Sequence, residues 1–277
     1  MSVNSFIPEV WAAAIIEALE KAFVYQVLVN RDYEGEIANA GDTVHITSVS
    51  DPTISNYATG GVLTYESLST ADRALVIDQG KSFSFVVDDV DALQMKGNIM
   101  GPAMHRAAYK LADLVDQLIA GTYVGIQTAN KITTTSITTA DLAYTNLVKL
   151  NQKLTEANVT TTGRVVIIPP WYNSLLLQDV RFTSAFASQQ PAAQTVGFVG
   201  EVVGMKVYQS NNTPVPGGVR NMVIAGVPTA ITFADQINQV EALRLQTTFG
   251  DAVRGLHVYG CKLIRPDSLV SLDANTV

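Results

Sequence analysis

Apolar residues at helical spacing come first along the chain. In PEVWAAAIIEALEKAF (8–23), Trp11, Ala14, Ile15, Ala18, Leu19, Ala22 and Phe23 recur at i, i+3, i+4, i+7 and i+8, with Glu17, Glu20 and Lys21 opposite. Pro8 suits a first helical position and Glu9 the positive end of the helix dipole. The stripe needs a cover, supplied by its own domain or by a neighbour on which the segment docks as an arm.

The period then changes from helical to extended. GDTVHITSV (41–49) alternates weakly. DPTISNYATGGVLTYESLS (51–69) is rich in Ser, Thr, Gly and Asn. In ADRALVIDQGKSFSFVV (71–87), Phe83, Phe85 and Val87 fall on one face and Ser82 and Ser84 on the other. Two legs of about 20 residues at ~3.3 Å each would reach on the order of 60 Å, and a lone two-stranded ribbon is marginal. Such a ribbon either projects and is supported from outside its own subunit, or folds back into an ordinary antiparallel sheet.

A long helix is predicted over about 98–124, with Pro102 near its start and a stripe of Ala103, Ala107, Leu111, Leu114, Val115, Leu118 and Ile119. Gly121 and Gly125 mark its exit. The Thr-rich NKITTTSITTA (130–140) reads as a connector at a domain boundary. Beyond it the pattern predicts a helix over 141–158 starting at Thr139 or Ala140, a short buried strand in RVVIIPP (164–170) and a helix over 171–179. A polar loop over 181–197 follows, then strands at 201–210, 221–227 and 229–234. VEALRLQTT (240–248) and FGDAVRGLHVYGCKL (249–263) form a final pair.

Composition narrows the classes. With 277 residues, 47% of them hydrophobic, the chain can build one large domain or two ordinary ones. A single cysteine excludes an internal disulfide framework, so nothing requires an oxidising compartment. The run VWAAAII is far short of the ~20 residues that cross a bilayer and lacks a basic flank, so neither a membrane partner nor a signal peptide is expected. Residues 1–97 hold 14 acids and 5 bases, a balance of −9. Residues 98–277 hold 11 acids and 13 bases, a balance of +2. Without a basic run, a dedicated DNA-binding protein is not expected, though a surface lying near DNA is compatible with this charge.

No catalytic constellation assembles: the chain lacks a phosphate-binding G-x-x-x-x-G-K-[ST], a G-x-S-x-G elbow and an H-E-x-x-H pair. Asp88, Asp89 and Asp91 read as a solvated acidic turn rather than a cation site. His257 and Cys261 would share a helix face at i, i+4, but Gly255 and Gly260 with Val253, Val258 and Tyr259 indicate a strand. There the two side chains lie ~13 Å apart, too far to hold one metal. Cys261 reads as a small buried hydrophobe, and the glycines as points of close approach or a bulge. No catalytic residue, metal site or cofactor is expected.

The order of elements resembles the major capsid protein of tailed double-stranded-DNA phages, the Hong Kong 97-type α+β fold. Several stretches look like one phage coat subfamily: FIPEVWAAAIIEALEKAFVYQVLVNRDYEGEI, GDTVHITSVSDPTISNY, GRVVIIPPWYNSLL, GMKVYQSNN and FGDAVRGLHVYGCKLIRPDSLVSL. The similarity covers nearly the whole chain, and its weight lies in the order of these stretches rather than in any one motif.

The resemblance implies an N-terminal arm (1–40), an extended E-loop hairpin (41–85) and a peripheral domain (86–136 with 235–277) whose spine helix is about 98–124. An axial domain (137–234) completes the subunit, with its loops near symmetry axes. It also implies a self-assembling shell of hexamers and pentamers, icosahedral, around double-stranded DNA held non-specifically. Assembly would occur in the host cytoplasm, with a portal, a separate scaffolding protein and a decoration protein as further partners.

Contact candidates between subunits are Trp11, Ile15 and Leu19 on the arm, Tyr57, Gly60 and Gly61 at the E-loop tip, and Arg73, Arg254 and Lys262. Some relatives lock their shells with a Lys–Asn isopeptide bond from an E-loop lysine. Residues 41–80 hold no lysine, so no such cross-link is expected, and the immediate start of the arm leaves scaffolding to a separate protein or to none. An encapsulin-type compartment, with the same fold and a protein cargo, is the alternative. An enzyme using the 137–234 unit is a third reading, disfavoured because no nucleophile–base pair is present.

Overall fold

The structure is a computed structural model. It describes residues 24–32, 43–49, 53–54, 56, 66–67, 70–88, 100–182, 197–245 and 250–276. The expected arm helix, the E-loop tip and most of the 181–197 loop lie outside the described residues.

In chain order the strands are β1 (Val29–Asn30), β2 (Thr43–Val49), β3 (Thr70–Val76), β4 (Gln79–Asp88), β5 (Lys131–Ser136), β6 (Val165–Ile168), β7 (Phe198–Val202), β8 (Met205–Gln209), β9 (Asn221–Gly226), β10 (Ile231–Arg244), β11 (Gly250–Leu263) and β12 (Leu269–Asn275). The helices are α1 (Met100–Gly121), α2 (Ala140–Glu156) and α3 (Pro170–Leu176). A four-stranded sheet has the order β1-β10-β11-β4, and a six-stranded sheet the order β5-β12-β9-β6-β8-β7. β2 and β3 form a separate two-stranded ribbon. Among the described residues, no helix is long and apolar enough to cross a membrane.

The six-stranded sheet carries α2 and α3 on one face. Leu147, Leu150 and Leu154 of α2 and Tyr172 and Leu176 of α3 are fully buried against Val166, Ile168, Val223 and Leu272. Strand β6 explains why VVII is apolar without alternation. Val166 and Ile168 face that core, whereas Val165 and Ile167 join the core containing α1, so the strand is buried on both faces. Thr139 caps α2, its hydroxyl accepting from the Leu142 N–H at 3.3 Å.

At the other end of α2, the fully buried Arg164 donates to the carbonyls of Asn151, Val159 and Thr160, the Thr155 hydroxyl and the Asn151 side-chain oxygen. Burial lowers its pKa from the usual arginine value. Its partners lie in the last turns of α2 and the turn beyond, toward the negative end of the helix dipole.

Several expectations are corrected. The Thr-rich connector contains β5, an edge strand parallel to β12; β-branched threonines suit a strand with one open side. The segment 201–210 lies within a hairpin rather than a single strand. β7 and β8 pair antiparallel across Val203 (φ 53°) and Gly204 (φ 72°), the two positive-φ positions of a type I′ turn. The predicted strands at 229–234 and 240–248 belong to one strand, β10, with a register shift between Ile237 and Gln239.

The α1 stripe is also rotated. Met104, Ala108, Leu111, Ala112, Val115, Asp116, Ile119 and Ala120 are buried, while Leu114 is exposed. Assigning the polar Asp116 to solvent turns the predicted stripe by about one residue, or ~100°.

Candidate assembly surfaces

β11 runs between β10 and β4 and organises the region around it. Side chains alternate along it. Val253, Tyr259, Cys261 and Leu263 join the core that includes α1, with His257 on the same face. Arg254, Leu256, Val258, Gly260 and Lys262 take the opposite face.

That second face has two halves. Near Val258 it is covered by the ribbon base, where Val44, Leu75 and Ile77 pack with Ala234 and Val258. Gly260 permits this approach: a Cβ there would sit 2.4 Å from the Val76 carbonyl oxygen. Arg73 of β3 adds a hydrogen bond to the Leu263 carbonyl at 3.3 Å.

The other half carries exposed Val86, Leu243 and Leu256 around Arg254. Arg254 donates from Nε and Nη2 to Glu241 Oε2, at 2.7 and 2.5 Å. Glu241 is its cross-strand partner in register. Ser82, Glu241, Arg254, Gly255 and Leu256 line an open cavity of about 130 Å³. On the reverse face the Phe83 ring lies over Gly255, leaving 2.3 Å for an added Cβ. Lys262 is exposed opposite Thr232.

The expected point of close approach is therefore present at both glycines. His257 and Cys261 share a face, but Tyr259 stands between them. The His257 and Tyr259 rings are 4.9 Å apart. Burial pushes the Cys261 thiol up to about 12, which keeps it protonated and unreactive at neutral pH. The fully buried His257 places Nε2 3.3 Å from Asp235 Oδ2, and Asp235 Oδ1 pairs with Arg31 at 2.5 Å. The Arg31 guanidinium also stacks over Phe233.

Two further groups escaped the sequence reading. Asp116 of α1 accepts from the Val24 and Tyr25 N–H groups at 3.1 and 3.2 Å. The sequence signal for it is a lone acid inside an apolar helix stripe. Arg181, at the root of the 181–197 loop, bonds Asp179 and Asp141 and lies 4.3 Å from the centre of the Tyr144 ring. The Arg181 side-chain hydrogen bond holds the Asp179 carboxyl below its usual range. The spacing of these residues in the sequence gives no comparable signal.

Of the named contact candidates, Arg73 of β3 and Lys262 of β11 lie toward the end of β11 where ribbon and sheet meet, and Arg254 lies on the open half of the β11 face. Trp11, Ile15, Leu19, Tyr57, Gly60 and Gly61 lie outside the described residues.

The family model for phage capsid proteins matches residues 75–272. A solved chain from Mycobacterium phage Che8 is 32% identical, with 98% of each chain covered and a TM-score of 0.74. The capsid structure of the cyanophage P-SCSP1u is 17% identical, covering 93% of this chain and 90% of that one at a TM-score of 0.74. The capsid of Ralstonia phage GP4 is 13% identical, covering 93% and 90% at 0.67. No curated protein sequence matches the chain.

The chain belongs to the phage capsid protein family. Its mixed helix–sheet architecture is the phage capsid fold, and its role is structural. It is a major capsid protein, many copies of which build the virion shell.

Proposed function

We propose that copies of this chain form hexamers and pentamers that close an icosahedral shell around double-stranded DNA in the host cytoplasm. A portal and a decoration protein are further partners, and scaffolding falls to a separate protein or to none. In this reading residues 1–40 are the arm, 41–85 the E-loop, 86–136 with 235–277 the peripheral domain and 137–234 the axial domain, and the chain catalyses no reaction.

The observation that carries the reading is the contrast between the ribbon and the sheet beneath it. Among the described residues, the ribbon packs on the sheet at its base, and Ile54 beyond it is 95% exposed. A shell subunit leaves such surface for its neighbours. Arg73, Arg254 and Lys262 are its contact candidates on the body, with Trp11, Ile15 and Leu19 on the arm and Tyr57, Gly60 and Gly61 on the E-loop.

Expression followed by sedimentation, electron microscopy and nucleic-acid assay tests this. Capsomers or megadalton particles are expected, and particles from infected cells contain DNA. A stable monomer or dimer would overturn the shell. Particles holding a co-purified protein cargo in place of DNA would replace the genome reading with the nanocompartment.

A further inference from the structure

The four-stranded sheet separates two surfaces. On one face the ribbon base packs through Val44, Leu75 and Ile77 against Val258. On the other, Met104, Ala108 and Leu111 of α1 share a core with Val253 and Tyr259 of β11. The two sides differ in charge. Residues 41–80, which supply the ribbon, hold the acids Asp42, Asp51, Glu66, Asp72 and Asp78 against one base, Arg73. Residues 100–112, the first half of α1, hold His105, Arg106 and Lys110 and no acid.

Helical geometry aims these cations away from the sheet. At ~100° per residue, Arg106 lies ~200° around the helix from the buried Met104, Tyr109 ~140° and Lys110 ~240°. His105, Arg106 and Lys110 are exposed, and Tyr109 is 61% exposed. Elsewhere Arg181, Arg220, Arg244 and Arg254 each pair with an acid of their own chain. Among the described residues neither Arg106 nor Lys110 does so. Asp113, the next acid along the helix, accepts from Gln117 at 3.3 Å. Lys81 adds a cation on the same side of the sheet: it is exposed and in register with His257, on the α1 face of β11.

We propose that the solvent face of α1, with Arg106, Tyr109 and Lys110 at its centre, is the subunit's contact with packaged double-stranded DNA. The α1 side of the four-stranded sheet is then the inner surface of the shell and the ribbon side the outer. This rests on the reading of the chain as a shell around DNA.

The chemistry suits a phosphate backbone. A guanidinium offers phosphate oxygens a planar fork of donors, a lysine a mobile point charge and a tyrosine hydroxyl one further donor. Such contacts release counterions and ignore sequence, as a container for a whole genome requires. Two or three cations per copy attract weakly, and many copies multiply the attraction. The charge would also suit an acidic segment of a neighbouring copy. Contacts between proteins, however, centre on an apolar patch, and along this half of α1 no large aliphatic side chain is exposed before Leu114.

Lysine acetylation of DNA-filled particles, and of the same particles emptied of DNA, tests the proposal when read residue by residue by mass spectrometry. Lys110 reacts several-fold more slowly in filled particles, whereas Lys262, on the ribbon side, reacts equally in both. Equal Lys110 reactivity in the two states would overturn the proposal, whether the lysine is open in both or covered in both by a neighbouring copy. Shielding of Lys262 instead of Lys110 would reverse inner and outer sides and overturn it too. In a second arm, Arg106→Gln/Lys110→Gln capsomers bind a short DNA duplex more weakly. The slope of log affinity against log salt flattens by about 2 for each helix engaged; an unchanged slope would contradict the assignment. The wild-type footprint decides alone if the variant fails to fold. Particles that never hold DNA would defeat the genome reading and this proposal with it, while filled particles with an unshielded Lys110 defeat this proposal only.

Discussion

The six-stranded sheet with α2 and α3 and the β2–β3 ribbon satisfy the same requirement by opposite means. In the first, side chains from α2, α3, β6, β9 and β12 close a core in which Leu147, Leu150, Tyr172, Val166 and Leu272 are fully buried. In the second, β2 and β3 pair from Thr43↔Val76 to Val49↔Thr70. Val44, Leu75 and Ile77 at the base, with Ile46 partly buried beside them, pack on the sheet. Two strands alone do not exclude enough water to be stable. One region completes its burial within the chain. In the proposed reading the other completes it on a neighbouring copy, as a shell subunit would.

Substitutions in the two regions should therefore separate folding from assembly. The largest effect belongs to Leu150→Ala. Truncating a fully buried leucine removes about 2–5 kcal/mol, read by denaturant unfolding of the dissociated subunit, and few particles form.

Next comes Gly260→Val at the seam between the regions. Its side chain meets the Val76 carbonyl and Ile77 and overpacks the seam by about 1–3 kcal/mol. Assembly drops while the fold of the six-stranded sheet, followed by its own hydrogen exchange, is retained. Gly255→Val meets the Phe83 side chain rather than backbone, so its defect is smaller.

Arg254→Ala breaks an exposed pair with Glu241 and costs the subunit about 0–1 kcal/mol. A larger loss in particle yield than in subunit stability would mark Arg254 as a contact between copies. The smallest subunit effect is that of Ile54→Ser. This exposed position leaves unfolding within about 0.5 kcal/mol of the wild type, yet the variant needs a several-fold higher concentration to assemble. Unchanged assembly would remove Ile54 from the contact surface.

Legibility in the sequence follows the same division. Regions that bury their own faces announce themselves through periodicity. The helix α2 with its start at Thr139 or Ala140 and the short buried strand β6 were readable, and α1 was placed within three residues at each end. What was hidden depended on long-range pairing. β5 is polar because it is an edge, so it read as a connector. β10 read as two strands because a register shift interrupts its alternation.

The candidate surfaces were less legible. Glycines 255 and 260 signalled close approach without naming Phe83 or Val76 as partners. Asp116 takes its role from Val24 and Tyr25, far away in sequence, and Arg164 from the end of α2 and the turn after it; composition points such groups toward solvent.

Hydrogen exchange compared between dissociated subunits and assembled particles tests the division of labour most directly. The six-stranded sheet should be protected in both states, and residues 43–49 and 70–76 of the ribbon strongly protected only in particles. Equal protection of the ribbon in both states would show that it completes its burial within its own chain and would contradict the account.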